Sequence, residues 1–300
     1  MKNFLFTVLA AATAFAAVAQ TDIWCWQGGA ATKKAATDSV TLAKPASLGD
    51  ILVWKDGVSA KLAATDSITF TSGVTDFYHD GSEAGYNYVD LGLTSGTKWA
   101  TMNVGASKAQ EYGNYYAWGE TTTKETYYWS TYLDGIMSSS SYCGTYMDAL
   151  KGVTDIAGTQ YDAAKANWGG KWRMPTKAQR DELGSECYWV WTESYNNSKV
   201  KGYIVYKAKT SSDKGQKIYK DGTPFSSYSL SDAHIFLPAA GYRFGGGLGY
   251  AGSYVSYWSS SLDTVTPSGA WLVNCDSDYV NSNYGYRCHG QSVRAVCPAE

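Results

Sequence analysis

The 300-residue chain is poor in charge: Asp, Glu, Lys and Arg make up 17% of it, and 25 basic against 27 acidic residues leave a formal net charge of −2. Binding a phosphate backbone needs clustered Lys and Arg, and no such stripe occurs, so nucleic acid is not the expected partner. Histidine is scarce as well. His79, His234 and His289 lie far apart with neither a nucleophile nor a ligand pattern around them, and there is no Gly-x-Ser-x-Gly elbow and no Cys-x-x-Cys pair. His234, beside Ile235-Phe236-Leu237, reads as the cap of a strand rather than a catalytic group. Downstream of Ala17 no apolar run reaches the roughly 20 residues that span a bilayer, so no integral membrane segment is expected.

What is present begins with an address. One positive charge in Met1-Lys2-Asn3, an apolar run from Phe4 to Ala17, and Ala17-Val18-Ala19 before Gln20 follow the grammar of a cleavable secretory signal over residues 1–19. No cysteine follows the small residues directly, since Cys25 stands behind Asp22-Ile23-Trp24, so a soluble secreted or cell-surface protein is expected rather than a lipoprotein. Export makes disulfides permissible among Cys25, Cys143, Cys187, Cys275, Cys288 and Cys297. Spacing does not settle their connectivity; Cys275 and Cys288, which flank a turn-rich stretch able to fold back as a hairpin, are the candidate pair.

The abundant residues are Tyr (25), Trp (12) and Gly (31), which suit short strands, tight turns and amphipathic contact surfaces. A repeat lies near the N-terminus. The stretch from Asp22-Ile23-Trp24 through Asp38-Ser39-Val40-Thr41 recurs 28 residues later, from Asp50-Ile51-Leu52 through Asp66-Ser67-Ile68-Thr69. Each copy reads as a strand, a glycine turn and a second strand, predicting a β-hairpin repeat module over 20–75, with a glycine-bearing linker over 76–85. The remainder, 86–300, predicts mostly strands and turns, with a helix started by Pro175-Thr176 and capped by Thr176, and a second over 162–166.

Seven ordered motifs carry a resemblance. They are Tyr88-Val89-Asp90-Leu91-Gly92-Leu93 through Trp99-Ala100, Asn103-Val104-Gly105-Ala106, Tyr116-Ala117-Trp118-Gly119-Glu120, Trp168-Gly169-Gly170-Lys171-Trp172-Arg173-Met174-Pro175-Thr176, Phe236-Leu237-Pro238-Ala239-Ala240-Gly241-Tyr242-Arg243, and Tyr257-Trp258-Ser259-Ser260-Ser261 with Ser292-Val293-Arg294-Ala295-Val296 behind it. This series resembles the Fibrobacter succinogenes major paralogous domain family of secreted Bacteroidetes proteins. The resemblance implies an α+β fold: a β-rich C-type-lectin-like domain with one or two helices, one of them after the Trp-Arg-Met-Pro-Thr segment, and a ligand face built from roughly 242–291. Trp172, Pro175, Trp258, Val293 and Val296 read as scaffold, with the last strand closing a sheet.

Within that region, Tyr279, Asn281, Asn283, Tyr284, Tyr286 and Arg287, together with Tyr250, Tyr254 and Tyr257, form a paratope-like mixture. Tyrosine supplies rigid amphipathic contact while Asn, Ser and Gly supply adaptable hydrogen bonds, and aromatic faces also stack on sugar rings. Asp276 and Asp278 offer hard oxygens to calcium, although their spacing fits no known calcium loop and a solvated turn is the simpler reading. The glycines of 247–252 match a dinucleotide pattern, but strand-like Ser253-Tyr254-Val255-Ser256 follows where a helix is needed, so no cofactor is expected. A formylglycine-generating type of enzyme would need paired reactive cysteines in surroundings unlike those of Cys275 and Cys288. The expected function is recognition or adhesion toward an extracellular glycan or protein. The abundance of Asn, Tyr, Ser, Asp and Gly over 244–286 also fits a tract diversified by a retroelement, and the alternative is a structural subunit of a surface appendage assembling through the N-terminal repeats.

Overall fold

A computed structural model of the chain describes residues 78–133, 150, 152–224 and 227–298, and the backbone of six strands between Ile23 and Phe70. The chain divides into two compact units, Met1–Asp76 and Phe77–Glu300. The signal expected over 1–19, and Cys143, lie outside the described residues.

In the first unit the repeat is visible in the strand pairing. Ile23–Gln27 pairs antiparallel with Ala30–Lys34, and Leu52–Lys55 with Val58–Lys61, in registers that coincide under the 28-residue offset (Trp26↔Ala31 and Trp54↔Ser59). Only two residues, Gly28-Gly29 and Asp56-Gly57, separate the paired ends, the sequences that tight hairpins favour. The Asp-Ser-Val/Ile-Thr segments do not continue these hairpins as the sequence suggested. They form a third strand in each copy, Val40–Ala43 and Ser67–Phe70, and the two pair with each other, with Thr41 opposite Thr69, its equivalent in the second copy.

The second unit is a β-rich α+β domain. A five-stranded sheet runs in the order Tyr115–Tyr116, Gln291–Ser292, Val255–Leu262, Gly269–Cys275, Val280–Tyr286. A four-stranded sheet runs Lys217–Ile218, Cys187–Thr192, Gly202–Lys207, His234–Pro238, and another runs Val296–Cys297, Lys98–Ala100, Tyr86–Val89, Gly81–Glu83. The chain's last strand therefore pairs with an early one, Val296 opposite Trp99, and Val293 and Val296 are fully buried. Gly81–Glu83 falls within the stretch taken as linker; it is a strand because Tyr86–Val89 folds back on it about the turn at Ala84-Gly85.

Among the described residues two α-helices interrupt the strands. In Lys177–Glu186 the Thr176 hydroxyl accepts from Gln179 N (3.2 Å) while the Gln179 side chain accepts from Thr176 N (3.1 Å), the reciprocal capping box that satisfies two orphan donors. Ala163–Trp168 is capped by Asp162, whose carboxylate accepts from Lys165 N at 3.0 Å, and Gly169 ends it at φ 68°. Among the described residues no helix is long and apolar enough to cross a membrane.

Strand Cys187–Thr192 is apolar on both faces because it is covered on both. Cys187, Trp189 and Trp191 enter one core cluster with Trp99, Leu183, Leu237, Tyr257 and Val273, whereas Tyr188 enters another with Tyr195 and Phe236. A further cluster gathers Trp118, Trp168, Trp172, Met174, Trp258 and Leu272.

Candidate functional site

The site is organised by a short hairpin. Tyr242–Phe244 pairs with Gly247–Gly249 across Gly245-Gly246. Gly245 has φ 57°, a conformation that costs a side-chain-bearing residue and that a two-residue hairpin turn places at its first central position. Two bridges fix the hairpin. Tyr127 and Gly245 exchange backbone hydrogen bonds (2.8 and 3.2 Å), as do Arg243 and Gly290 (2.8 and 2.9 Å). Residues 127–132, 242–254 and 286–290, distant in sequence, are thereby brought together. Tyr250 follows at φ 58°, a left-handed conformation uncommon outside glycine, and its ring is 53% exposed.

The rings of these segments form a connected array. Tyr250 stacks on Tyr242 (5.5 Å between centroids), Tyr242 stacks on His289 (5.8 Å), and Phe244 lies 5.7 Å from Tyr242 and 6.2 Å from His289. Tyr254 meets Tyr250 edge-on at 4.9 Å, Tyr286 meets His289 edge-on at 5.6 Å, and Trp129 reaches Tyr286 at 6.1 Å. These are the offset and T-shaped geometries that the ring quadrupole favours.

Two exposed rings of this region lie directly over a glycine. A Cβ on Gly245 would come within 2.6 Å of the Tyr128 hydroxyl and 2.9 Å of its Cζ, and one on Gly249 within 2.8 Å of Phe244 Cε1. The same arrangement recurs away from the hairpin, where a Cβ on Gly269 would come within 2.6 Å of Tyr284. Each ring thus rests against backbone where a side chain would have displaced it. Tyr128, Phe244 and Tyr284 are nevertheless 56%, 46% and 45% exposed, so much of each ring remains open to solvent.

The surface around the hairpin is nearly uncharged. Between Gly241 and Tyr254 the one ionisable cation is Arg243, whose guanidinium sits 5.6 Å from the Tyr115 ring. Burial pushes the His289 pKa below its ordinary value, which keeps the imidazole neutral at pH 7, and burial raises that of Tyr242.

The residues expected to bind ligand divide into groups. Tyr250, Tyr254 and Tyr286 belong to the ring array, and Tyr279 lies near Tyr254, its pKa raised by burial together with that neighbour. Asn281, Asn283 and Tyr284 stand on Val280–Tyr286, the exposed edge strand of the five-stranded sheet, but not on one face. Register places Tyr284 opposite Trp271, whereas Asn281 and Asn283 oppose Asn274 and Leu272 on the other side. Asp276 shapes the preceding turn: its Oδ1 accepts from Asp278 N (2.8 Å) and Tyr279 N (3.1 Å), leaving Asp278 exposed.

Two members of the expected set are buried and leave the surface altogether. Tyr257 lies in the third of five strands, 4% exposed, with its hydroxyl accepting from Asn103 Nδ2 (2.9 Å) and donating to Pro238 O (3.3 Å). Arg287, one residue past the edge strand, turns inward; it is fully buried, its guanidinium 5.6 Å from the Trp118 ring and 5.8 Å from Tyr132.

The disulfide proposed between Cys275 and Cys288 is absent, both thiols being free and buried. The hairpin that suggested it does form, but Cys275 opposes Val280 at its closed end, and Cys288 lies beyond Tyr286 at its open end. Seven strand residues at about 3.3 Å each separate them, far beyond the roughly 4.4–6.8 Å between Cα atoms that a disulfide bridges. Burial pushes the thiol pKa of Cys275 and of Cys288 up to about 12, and that of Cys297 to about 11, so these cysteines are protonated at neutral pH.

Sequence reasoning missed Tyr128, Trp129, Phe244 and Leu248, all but Trp129 exposed. Phe244 was discoverable, because an aromatic residue at the end of a two-residue glycine turn is placed across from the returning strand. Tyr128 and Trp129 carry no comparable local signal; only the bridge between Tyr127 and Gly245 brings them here. Among the described residues no group of three His, Cys, Asp or Glu side chains is placed to hold a metal ion.

Fold and site together define a β-rich α+β domain presenting an aromatic surface whose hairpin carries one cation, Arg243. Compared with known proteins, the chain matches no family model, no curated protein and no solved structure.

Proposed function

We propose that the chain is a secreted or cell-surface recognition protein whose C-terminal domain is C-type-lectin-like, related to the Fibrobacter succinogenes major paralogous domain, and binds an external glycan or protein through the aromatic surface around 242–254. The single observation that carries the reading is the seating of exposed rings on glycine, Phe244 on Gly249 and Tyr128 on Gly245. Holding an aromatic ring in place before a ligand arrives lowers the ordering cost of binding, and a hairpin with Arg243 as its one charge favours a weakly charged ligand surface. The ordered motifs, the helix opened by Thr176 after Trp172, and the late strand closing on Lys98–Ala100 support the fold assignment. The grammar of residues 1–19 supports export. The solvent-facing strand Val280–Tyr286 is in keeping with a diversified tract.

The test is a glycan and protein array probed with the full chain and with a Tyr128→Ala/Phe244→Ala double variant. The wild-type chain is expected to light specific spots and the variant to lose them; spots kept at equal intensity by the variant would move the binding face elsewhere. A second reading, a structural subunit assembling through its N-terminal repeats, is favoured by one observation, the pairing of the two copies through their third strands. It predicts that Thr41→Pro, which removes a strand donor, abolishes self-association measured by sedimentation while array binding persists.

A further inference from the structure

The strand Val280–Tyr286 ends its sheet. On its inner side it pairs with Gly269–Cys275 along its whole length, and no described strand lies on its outer side. The phase of that ladder is fixed at both ends, where Asp276 N donates to Tyr279 O (3.0 Å) and Arg287 N to Ser268 O (3.0 Å). Hydrogen-bonded pairs alternate along an antiparallel ladder, so Asn281, Asn283 and Gly285 spend their backbone groups on the sheet, while Val280, Ser282, Tyr284 and Tyr286 point theirs outward. The Tyr284 N–H agrees with this phase: the Asn283 side chain takes it (Oδ1, 2.8 Å), not the neighbouring strand.

The other edges of the four- and five-stranded sheets are covered, short or charged, the usual means of keeping a strand edge from pairing. Tyr115–Tyr116, His234–Pro238 and Val296–Cys297 are buried, Lys217–Ile218 is two residues with a lysine, and Gly81–Glu83 is three with a glutamate. Val280–Tyr286 has none of these devices. It is seven residues long, carries no charge and no proline, and exposes Asn281, Asn283, Tyr284 and Tyr286. The strand is also its own complement. An antiparallel twofold centred on Asn283 sets Ser282 opposite Tyr284 and Val280 opposite Tyr286, so outward-pointing groups meet outward-pointing groups. The Ser282 N–H then meets the Tyr284 C=O of the second copy, and the Tyr286 N–H its Val280 C=O. Asn283 faces Asn283, two carboxamides that each donate and accept. A charged segment would find no counter-charge on this strand, and a second copy brings none.

We propose that Val280–Tyr286 is a self-association edge, pairing antiparallel about Asn283 with the same strand of a second copy, so that two five-stranded sheets run on into one another. The main chain supplies the bonds, so the pairing tolerates exchanges at the exposed positions that keep the strand free of charge. It is independent of the N-terminal repeats. Two copies joined in this way carry two aromatic surfaces, and engaging both on one target raises avidity without any new contact to the ligand.

The experiment is sedimentation of the full chain between about 1 and 300 µM, because one strand pair buries less than the roughly 1,200 Å² of a standard interface and holds weakly. The mass is expected to pass from one chain toward two across that range. Tyr284→Pro removes a donor that the sheet does not use, so the variant is expected to stay folded and monomeric throughout. Should it fail to fold, Asn283→Lys, which sets two ammonium groups against each other across the twofold, is expected to give the same result. Asn283→Cys reads the register. Opposed residues of a non-hydrogen-bonded pair have Cα atoms about 4.5 Å apart, so oxidation is expected to link two chains, whereas Asn281→Cys holds its thiols about 13 Å apart and adds nothing to the wild-type background. A wild-type chain that stays monomeric across the range overturns the proposal and leaves the edge to a foreign strand. A dimer that both Tyr284→Pro and Asn283→Lys leave intact overturns it too, and if Thr41→Pro dissolves that dimer, the N-terminal repeats hold it.

Discussion

Replacing Gly249 by alanine tests the seating of the rings without touching an atom that meets the ligand. The new Cβ would stand 2.8 Å from Phe244 Cε1, 3.6 Å from Cδ1 and 3.9 Å from Cζ. Ordinary carbon contacts begin near 3.5 Å, so the ring must move by roughly 0.7 Å or swing away. The backbone accepts the change, since Gly249 is outside the positive-φ positions, and a glycine-to-alanine change at a compatible site stabilises by about 0.4–1 kcal/mol through the unfolded chain. Against this stands the covered part of Phe244. At 46% exposure, roughly 100 Å² of ring area is covered, worth about 2.5 kcal/mol if the ring leaves entirely. The net change in stability therefore lies between a slight gain and a loss of about 2 kcal/mol, a few degrees in melting temperature. Binding should respond more sharply. An aromatic anchor is worth about 2 kcal/mol, so half-saturation of an array ligand is expected to shift about 30-fold, close to the effect of Phe244→Ala. Gly246→Ala is the control, because a Cβ there meets nothing within 4 Å. If Gly249→Ala binds as the wild type does, or Gly246→Ala weakens binding equally, the seating argument fails.

Other consequences are as direct. Burial depresses the pKa of both His234 and His289 below the ordinary 6.5, so the unfolded chain binds more protons. Stability should then fall as pH drops below about 6.5, and His289→Phe should flatten part of that decline in urea titrations at pH 5 and pH 7. Thiol titration should find Cys187, Cys275, Cys288 and Cys297 unreactive in the native chain and labelled after denaturation without reductant; a Cys275–Cys288 peptide in the map would contradict the free thiols. Arg287→Ala should lower stability by about 3–5 kcal/mol, through the cavity and the lost ring contacts, while the chain that remains folded at low temperature binds its array ligand normally. In Thr41→Cys/Thr69→Cys, oxidation should link the two copies within one chain, because directly opposed strand residues have Cα atoms about 4.5–5.5 Å apart.

Local rules made part of this molecule legible. The Thr176 capping box, the Asp162 cap and the burial of Trp172 and Trp258 follow from residues within a few positions of one another, or from size and polarity alone. The turn-rich stretch after Cys275 is likewise a hairpin. What could not be read was direction and partnership. Tyr257 looks like its exposed neighbours Tyr250 and Tyr254 in composition, and only its position in the middle of a five-stranded sheet turns it inward. Arg287 is a charge that sequence alone assigns to the surface, yet the rings of Trp118 and Tyr132, far away in the chain, receive it. The candidate site was legible by half for the same reason: its tyrosines cluster in sequence, while Tyr128 and Trp129 arrive through a long-range bridge.

The edge strand Val280–Tyr286 bears on how readily this protein can change over generations. Its backbone is held by a full ladder to Gly269–Cys275, while Asn281, Asn283, Tyr284 and Tyr286 face solvent and Ser282 Oγ accepts from the buried Arg180 Nη2 (2.7 Å). Exchanges at such positions typically alter stability by no more than about 0.5 kcal/mol, so the strand can be rewritten residue by residue with the scaffold intact. Gly285 is the fixed point, since a Cβ there would come within 2.5 Å of Leu272 Cδ2 in the core. A lineage under pressure to meet new surfaces would find here a line of variable letters, broken by a glycine and a serine that the core holds in place.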